Sequence, residues 1–145
     1  MSKSRAAARL AAVQALYQQD MEGTPVVRLL HEFHTHRLGA TIEGNTYADA
    51  ELDFFNDVVQ GANTRANEID TSIAAHLAKG WTLDRVDRPM RAILRACTYE
   101  LLARRDVPLA SAISAYLDVA DAFYDRREKG FINGVLDAVA KAVRA

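Results

Sequence analysis

The chain has 145 residues, half of them apolar, a length that suits one compact domain with a single core over residues 1–145. Its formal net charge is −1 and its sequence pI is about 6.4, so the protein as a whole does not attract nucleic acid, and any such site must be local. The single cysteine excludes an internal disulfide, and no stretch is long and apolar enough for a secretory signal or a membrane-spanning helix. These features predict a cytoplasmic protein without membrane association.

Apolar residues three or four positions apart recur along most of the chain, which is typical of helices that bury one face. The first predicted helix runs from Ser4 to Gly23, where a left-handed glycine ends it. Thr24 is placed to cap a second helix that begins at Pro25. A long apolar series from Phe55 to Leu77 predicts one further helix of about six turns, which Gly80 closes.

Three more helices are predicted in the second half. Asp87 is placed to cap the first, with Pro89 in its first turn, and this helix ends before Val107-Pro108 because the residue before a proline avoids helical backbone. The next helix has its apolar side from Ile113 to Phe123, and the last from Ile132 to Val143. No segment alternates with a period of two, so the predicted fold is an all-α bundle of six or seven helices.

Metal and catalytic sites are not favoured. His31 and His34 share a helix face, but His36 points away, and no cysteine or carboxylate pair completes a ligand set, so a solvated helix end is the better interpretation. Cys97 falls on an apolar stripe and is predicted to be a core residue. The chain carries no glycine-rich phosphate loop and no hydrolase motif. We therefore predict no enzyme activity, no cofactor and no catalytic residues.

Basic residues form three local groups. They are Lys3, Arg5 and Arg9; Arg88, Arg91 and Arg95; and Arg126, Arg127 and Lys129. Arg5 and Arg9 are four positions apart and so share one stripe of the first helix, and the third group is predicted in the connection before the last helix. Each group is either an ordinary solvated face or a phosphate-binding surface, and spacing alone leaves both interpretations open.

Several segments resemble the NusB family of transcription antitermination factors. They are AARLAAVQALYQQD at 7–20, RAILRACTYELL at 91–102, the Asp-Val-Pro at 106–108 and FINGVLD at 131–137. The order and separation of these segments match the family, and together they cover both ends and most of the second half. The resemblance implies two small helical subdomains and a non-catalytic factor that binds the box A element of ribosomal RNA leader transcripts. It further implies a small-subunit ribosomal protein, NusE, as partner, and an assembly on elongating RNA polymerase.

The resemblance also suggests which residues do this work. Cations hold the backbone of single-stranded RNA while aromatic rings stack on its bases. The RNA-binding candidates are Lys3, Arg5, Arg9, Tyr17, Arg126, Arg127, Lys129 and Phe131, which we expect to gather into one shared cradle. The ribosomal protein is expected on a different surface, for which the candidates are Asp84, Arg85, Arg88 and Arg91. Homodimerisation is left open.

This chain departs from the family pattern at three places. Ala6 to Ala8 separate Arg5 from Arg9 where many relatives have consecutive arginines, which predicts fewer phosphate contacts and a shallower salt dependence. Gly130 stands where a lysine often precedes the phenylalanine, and residues 113–116 lack the family's asparagine and glutamate. Two other functions compete with the antitermination factor: an RNA-targeting domain related to the N-terminal part of ribosomal RNA methyltransferases, and a scaffold protein that binds no RNA.

Overall fold

Helices make up the regular structure in the computed structural model, which describes residues 3–34 and 49–144, with side chains described for 5–34 and 52–144. The helices are α1 (Lys3–Glu22), α2 (Val26–Phe33), α3 (Asp49–Thr64), α4 (Ala66–Ala74), α5 (Arg88–Ala103), α6 (Leu109–Ala120) and α7 (Arg126–Val143), with a 3₁₀ turn at Leu83–Arg85. Over these ranges there is no strand. The predicted all-α class and number of helices are confirmed, whereas His36 lies outside the described residues.

Helix α5 lies at the centre and contacts α1, α3, α4, α6 and α7. Its residues 96–101 are buried on every side, as expected for a helix that other helices surround. Cys97 is among them, which confirms the prediction that it is a core residue. One cluster of buried apolar side chains runs through both halves of the chain.

The two ends of α5 serve as reference points for the rest of the molecule. Helix α1 runs antiparallel to α5, because Arg9 bonds Glu100 while Asp20 pairs with Arg91. Helix α7 runs parallel to it, since Arg144 at its carboxyl end donates to carbonyl oxygens near the carboxyl end of α5. A helix of sixteen residues is about 24 Å long, and that length separates the two ends.

The single long helix predicted from Phe55 to Leu77 is wrong. It breaks at Arg65, whose backbone leaves the helical region at φ −103° and ψ 23°, and α4 then ends at Ala74. The Thr64 hydroxyl donates to the carbonyl of Gln60 at 3.0 Å, a bond of the kind that bends helices. A continuous apolar period did not reveal this break, because both helices keep their apolar side on the same core.

Predicted helix ends are partly correct. Gly23 and Gly80 adopt the expected positive φ values of 70° and 88°, but Gly80 ends a turn six residues beyond α4. Thr24 does not cap α2: Pro25 holds the capping position and Thr24 is buried. Asp87 does precede the first residue of α5, yet its carboxylate accepts from the Tyr124 hydroxyl and makes no capping bond.

Two further expectations fail near the last helix. Residues 126–129 form the first turn of α7, where the Asp125 carboxylate accepts from the amide of Arg127, so they do not belong to a connection. Phe123 lies beyond the end of α6 and is 44% exposed, so it is not part of the core. No helix in the described ranges is both long enough and apolar enough to cross a bilayer.

Candidate functional site

Arg9 is buried, which corrects the expectation that it forms an exposed cation row with Arg5. Its side chain is 2% exposed and makes two parallel bonds to Glu100, from Nε to Oε2 at 2.9 Å and from Nη2 to Oε1 at 3.0 Å. Glu100 is fully buried in α5. The turn of α1 that carries Arg9 therefore faces the core, since Ala8, Ala11 and Ala12 are buried around it.

A tyrosine completes this buried network. The hydroxyl of Tyr116, from α6, donates to Oε2 of Glu100. Burial and the neighbouring Glu100 carboxylate raise the pKa of Tyr116 well above its usual value, so the hydroxyl keeps its proton and acts as the donor. Glu100 thus joins α1, α5 and α6 at one point. Burial likewise raises the pKa of the nearby Cys97 thiol, which makes it a poor nucleophile.

Arg5 lies at the same end of α5. Its guanidinium carbon is 4.6 Å from the ring centre of Phe54, and that of Arg104 is 4.9 Å from the same ring. Arg104 is also bonded to the Asp57 carboxylate at 3.3 Å. Arg5, which is half-buried, therefore lies on the Phe54 ring at a surface formed by α1, α3 and the carboxyl end of α5, where Arg104 is paired with Asp57 and Asp106.

An open groove lies at the other end of α5, and we call it the Trp81 groove. It has a volume of about 400 Å³ and is lined by Ala78, Trp81, Arg85, Val86, Asp87, Met90, Arg127, Glu128 and Phe131. Trp81 is 48% exposed, and the Arg85 guanidinium lies 5.3 Å from its ring centre. Phe131 is half-buried against the core. Aromatic faces and guanidinium groups thus share one concave surface.

A second groove borders the same first turn of α5, and we call it the Tyr17 groove. It has a volume of about 390 Å³ and is lined by Val13, Gln14, Tyr17, Gln18, Met21, Glu22, Phe33, Pro89 and Phe123. Tyr17, Met21 and Phe123 are exposed there. Tyr17 and Phe131 were expected to line one surface. They line two separate grooves instead, with the start of α5 between them.

The cations do not form the single cradle that the sequence led us to expect. Arg5 lies at the carboxyl end of α5, whereas Arg127 lines the groove at its amino end, so the two are separated by about the length of that helix. Arg126 and Arg127 are exposed, and Lys129 forms an ion pair with Asp121. Lys3 begins α1, but its side chain lies outside the described part of the chain.

Arg88, Arg91 and Arg95 do share one side of α5, as predicted. All three reach Asp20 at the end of α1: Arg91 and Arg95 approach its carboxylate at 3.5 and 3.7 Å, and Arg88 donates to its backbone carbonyl at 2.7 Å. Arg95 also pairs with Asp70 at 2.9 Å. This group therefore ties α1 and α4 to α5, and Arg91, with 13% of its side chain exposed, contributes little surface.

The remaining candidates for partner binding lie in the 3₁₀ turn. Asp84 and Arg85 are exposed there, and Arg85 lines the Trp81 groove. The expected separation of the RNA candidates from the partner candidates is therefore incomplete, because Arg85 and Arg127 line the same groove. No group of three histidine, cysteine or carboxylate residues within the described ranges is placed to hold a metal ion.

The sequence analysis missed the two most informative pairs of residues, Arg9 with Glu100 and Trp81 with Phe131. Glu100 was not singled out, although an acid inside the apolar run 96–101 signals a buried cationic partner. It also did not predict that Trp81 and Phe131 line the same groove, for which an exposed tryptophan directly after Gly80 was the only signal.

Comparison with known proteins identifies the family. The NusB family model matches residues 6–141. Transcription antitermination protein NusB of Sphingopyxis alaskensis is 62% identical over 143 residues, which cover 99% of this chain and 96% of that protein. The protein of the same name from Novosphingobium aromaticivorans is 62% identical over 142 residues, which cover 98% and 96%.

Solved structures agree as well. T. maritima NusB superposes with a TM-score of 0.81 at 28% identity, over 97% of this chain and 93% of that one. A chain in the crystal structure of antitermination factors NusB and NusE in complex with dsRNA gives a TM-score of 0.83 at 27% identity, over 98% and 99%. The chain therefore belongs to the NusB family of transcription antitermination factors, which work without catalytic chemistry.

Proposed function

We propose that this protein binds the single-stranded box A element of ribosomal RNA leader transcripts together with the ribosomal protein NusE, and that this assembly joins elongating RNA polymerase in the cytoplasm. Family membership supports an antitermination role. A related chain, crystallised with NusE and double-stranded RNA, supports RNA and a ribosomal protein as the partners. We further propose that residues 1–145 act as one domain.

The Trp81 groove is the observation that carries the RNA proposal. Single-stranded RNA is bound by stacking of its bases on aromatic rings and by cations along its backbone. The groove offers Trp81 and Phe131 for stacking and Arg85 and Arg127 for phosphate. Tyr17, across the first turn of α5, extends the aromatic surface.

The other RNA candidates receive different proposed roles. Arg126 and Lys129 belong to the first turn of α7 but do not line the groove, and they are proposed as phosphate contacts outside it. Lys3 and Arg5 are proposed as contacts at the far end, which a strand would reach only by following α5 for about 24 Å. Arg9 is excluded from direct contact because Glu100 occupies its buried guanidinium.

The ribosomal protein is proposed to bind beside the RNA, over Asp84, Arg85 and Arg88. These residues are exposed at the entry to α5, and Arg85 borders the RNA groove. RNA and protein would then share an edge, which explains how one could strengthen binding of the other. Arg91 is proposed to act indirectly, by holding the end of α1 against α5 through its ion pair with Asp20.

The methyltransferase alternative is less favoured. The Sphingopyxis and Novosphingobium relatives are antitermination proteins of about this length, each covered to 96%, so the match does not stop at a shared N-terminal part.

A filter-binding series tests the proposal. Box A RNA and a scrambled RNA of the same composition are titrated with the protein, each with and without purified NusE. We expect tighter binding of box A RNA, further strengthened by NusE. Equal affinity for both RNAs in the presence of NusE would contradict the proposal. A protein that binds NusE but neither RNA would favour the scaffold alternative.

A further inference from the structure

We infer that Arg9 is a positioning residue for RNA binding: through Glu100 and Tyr116 it holds α1 in the orientation that presents Arg5 and Tyr17 to the RNA. The inference rests on the proposed function and assigns to Arg9 a role that its place in an arginine-bearing segment does not suggest. It makes Glu100, a residue that RNA cannot touch, a determinant of RNA affinity.

The first step of the argument is that Arg9 is enclosed by protein. Its guanidinium carbon lies 5.1 Å from the ring centre of Phe54 and 5.9 Å from that of Tyr116, between α3 and α6. Its two bonds to Glu100 leave 2% of the side chain exposed. Glu100 and Tyr116 are fully buried, so ligands in solvent reach neither partner.

The second step is that α1 is tied to α5 at two points. Arg9 meets Glu100 near the carboxyl end of α5, and Asp20 meets Arg91 near its amino end at 3.5 Å. Tyr17 lies on α1 between these ties. Arg5 precedes Arg9 by one turn and contacts the same Phe54 ring. Because Arg5, Arg9 and Tyr17 lie on one uninterrupted helix, within about two turns of Arg9, a shift at Arg9 displaces both Arg5 and Tyr17.

The third step is that the Arg9 contact is more directional than apolar packing. Apart from Val13 and Leu16, the apolar residues that α1 buries are small, namely Ala8, Ala11, Ala12 and Ala15. Burial of apolar surface is non-directional, so it restrains rotation of the helix less sharply than a contact with fixed geometry. The planar guanidinium binds both carboxylate oxygens in only one arrangement. Tyr116 in turn limits the positions that the carboxylate adopts. The pair therefore sets the rotation of α1 about its own axis.

The decisive experiment asks whether Glu100→Gln strengthens or weakens the binding of box A RNA. Glu100→Gln removes a negative charge, so electrostatics alone predicts equal or tighter RNA binding, and release of Arg9 toward RNA predicts the same. Positioning predicts the opposite: weaker binding of box A RNA by roughly three- to tenfold, with a slope of log affinity against log salt that falls by no more than about 0.7, the value of the one phosphate contact at Arg5. Arg9→Lys, which keeps both charges but loses the two-bond geometry, should weaken binding similarly. The double variant, with both Arg9→Lys and Glu100→Gln, should bind within about twofold of the weaker single variant, because the two changes break the same contact.

Three control variants separate positioning from other causes. Arg5→Ala should lower the salt slope by about 0.7, as expected for loss of one phosphate contact. Val139→Ala, in the core of α7, destabilises the fold without touching α1, and its affinity should stay within about twofold of the wild type at a temperature where circular dichroism shows all variants folded. Asp137→Asn removes an exposed acid on α7 and should not weaken binding.

The outcomes distinguish this inference from the proposed function. Wild-type protein that shows no preference for box A RNA overturns the proposed function and the inference with it. Wild-type protein that prefers box A RNA, with Glu100→Gln binding equally well or more tightly, overturns only the inference. An equal loss of affinity in Val139→Ala would also overturn it, because general destabilisation would then explain the result.

Discussion

At the carboxyl end of α5 an arginine, a glutamate and a tyrosine are sealed inside the protein, whereas at its amino end arginines and aromatic rings line an open groove. The buried set is Arg9, Glu100 and Tyr116, and each charged group satisfies the other. In the Trp81 groove, by contrast, Arg127 and Trp81 remain exposed to solvent. The same side-chain chemistry therefore supports the fold at one end and is available to a ligand at the other.

This contrast shows that an arginine in a basic segment is not by itself a phosphate contact. Moving a charge out of water costs several kcal/mol, so a buried arginine must have a dedicated acidic partner. Once Glu100 supplies that partner, Arg9 no longer adds to the local positive charge. Exposed charges instead keep their attraction for phosphate, subject to screening by salt.

The largest expected effect comes from breaking the buried end. Glu100→Ala leaves the Arg9 charge and the Tyr116 hydroxyl buried without their acceptor, and we expect the free energy of unfolding to fall by about 3–5 kcal/mol. Urea denaturation measures this loss. Asp137→Ala, which breaks an exposed pair with Lys141, is the control and should change stability very little. A small loss for Glu100→Ala would show that the buried network does not support the fold.

The next effect concerns the groove. Phe131→Leu keeps an apolar side chain against the core but removes the ring, and we expect the free energy of binding box A RNA to weaken by about 1–3 kcal/mol. Filter binding with NusE present measures the change. Leu109→Ala alters an exposed apolar residue that lines neither groove, and it should leave binding unchanged. If both variants bind alike, base stacking does not occur on Phe131.

The smallest expected effect tests how closely α3 and α5 pack at the buried end. A methyl group at Gly61 in α3 would overlap the ring of Tyr99 in α5, so Gly61→Ala should destabilise the fold by about 1–2 kcal/mol even after its gain in helix propensity. Gly134→Ala in α7 meets nothing within 4 Å and should stabilise by up to about 1 kcal/mol. Thermal denaturation of the two variants should therefore shift in opposite directions. A shift in the same direction would mean that α3 and α5 are less closely packed.

Much of the fold was predictable because helix formation depends on residues three and four apart. That spacing predicted the helices and the buried position of Cys97, and the ordered segments pointed to the NusB family. The break at Arg65 was not predictable in this way, since both sides of it continue the same apolar period. The proposed RNA surface was predicted in its residue types but not in its arrangement.

The sequence by itself determined the helical class, the approximate position of most helices and the family to which the chain belongs. Only the tertiary structure decided which arginines face solvent, because the partner of Arg9 lies 91 positions away and comes near only when α1 packs on α5. The same holds for Trp81 and Phe131, which line one groove although fifty residues separate them. Local spacing encodes the face on which a residue lies, whereas the element that covers that face is set by packing between distant parts of the chain.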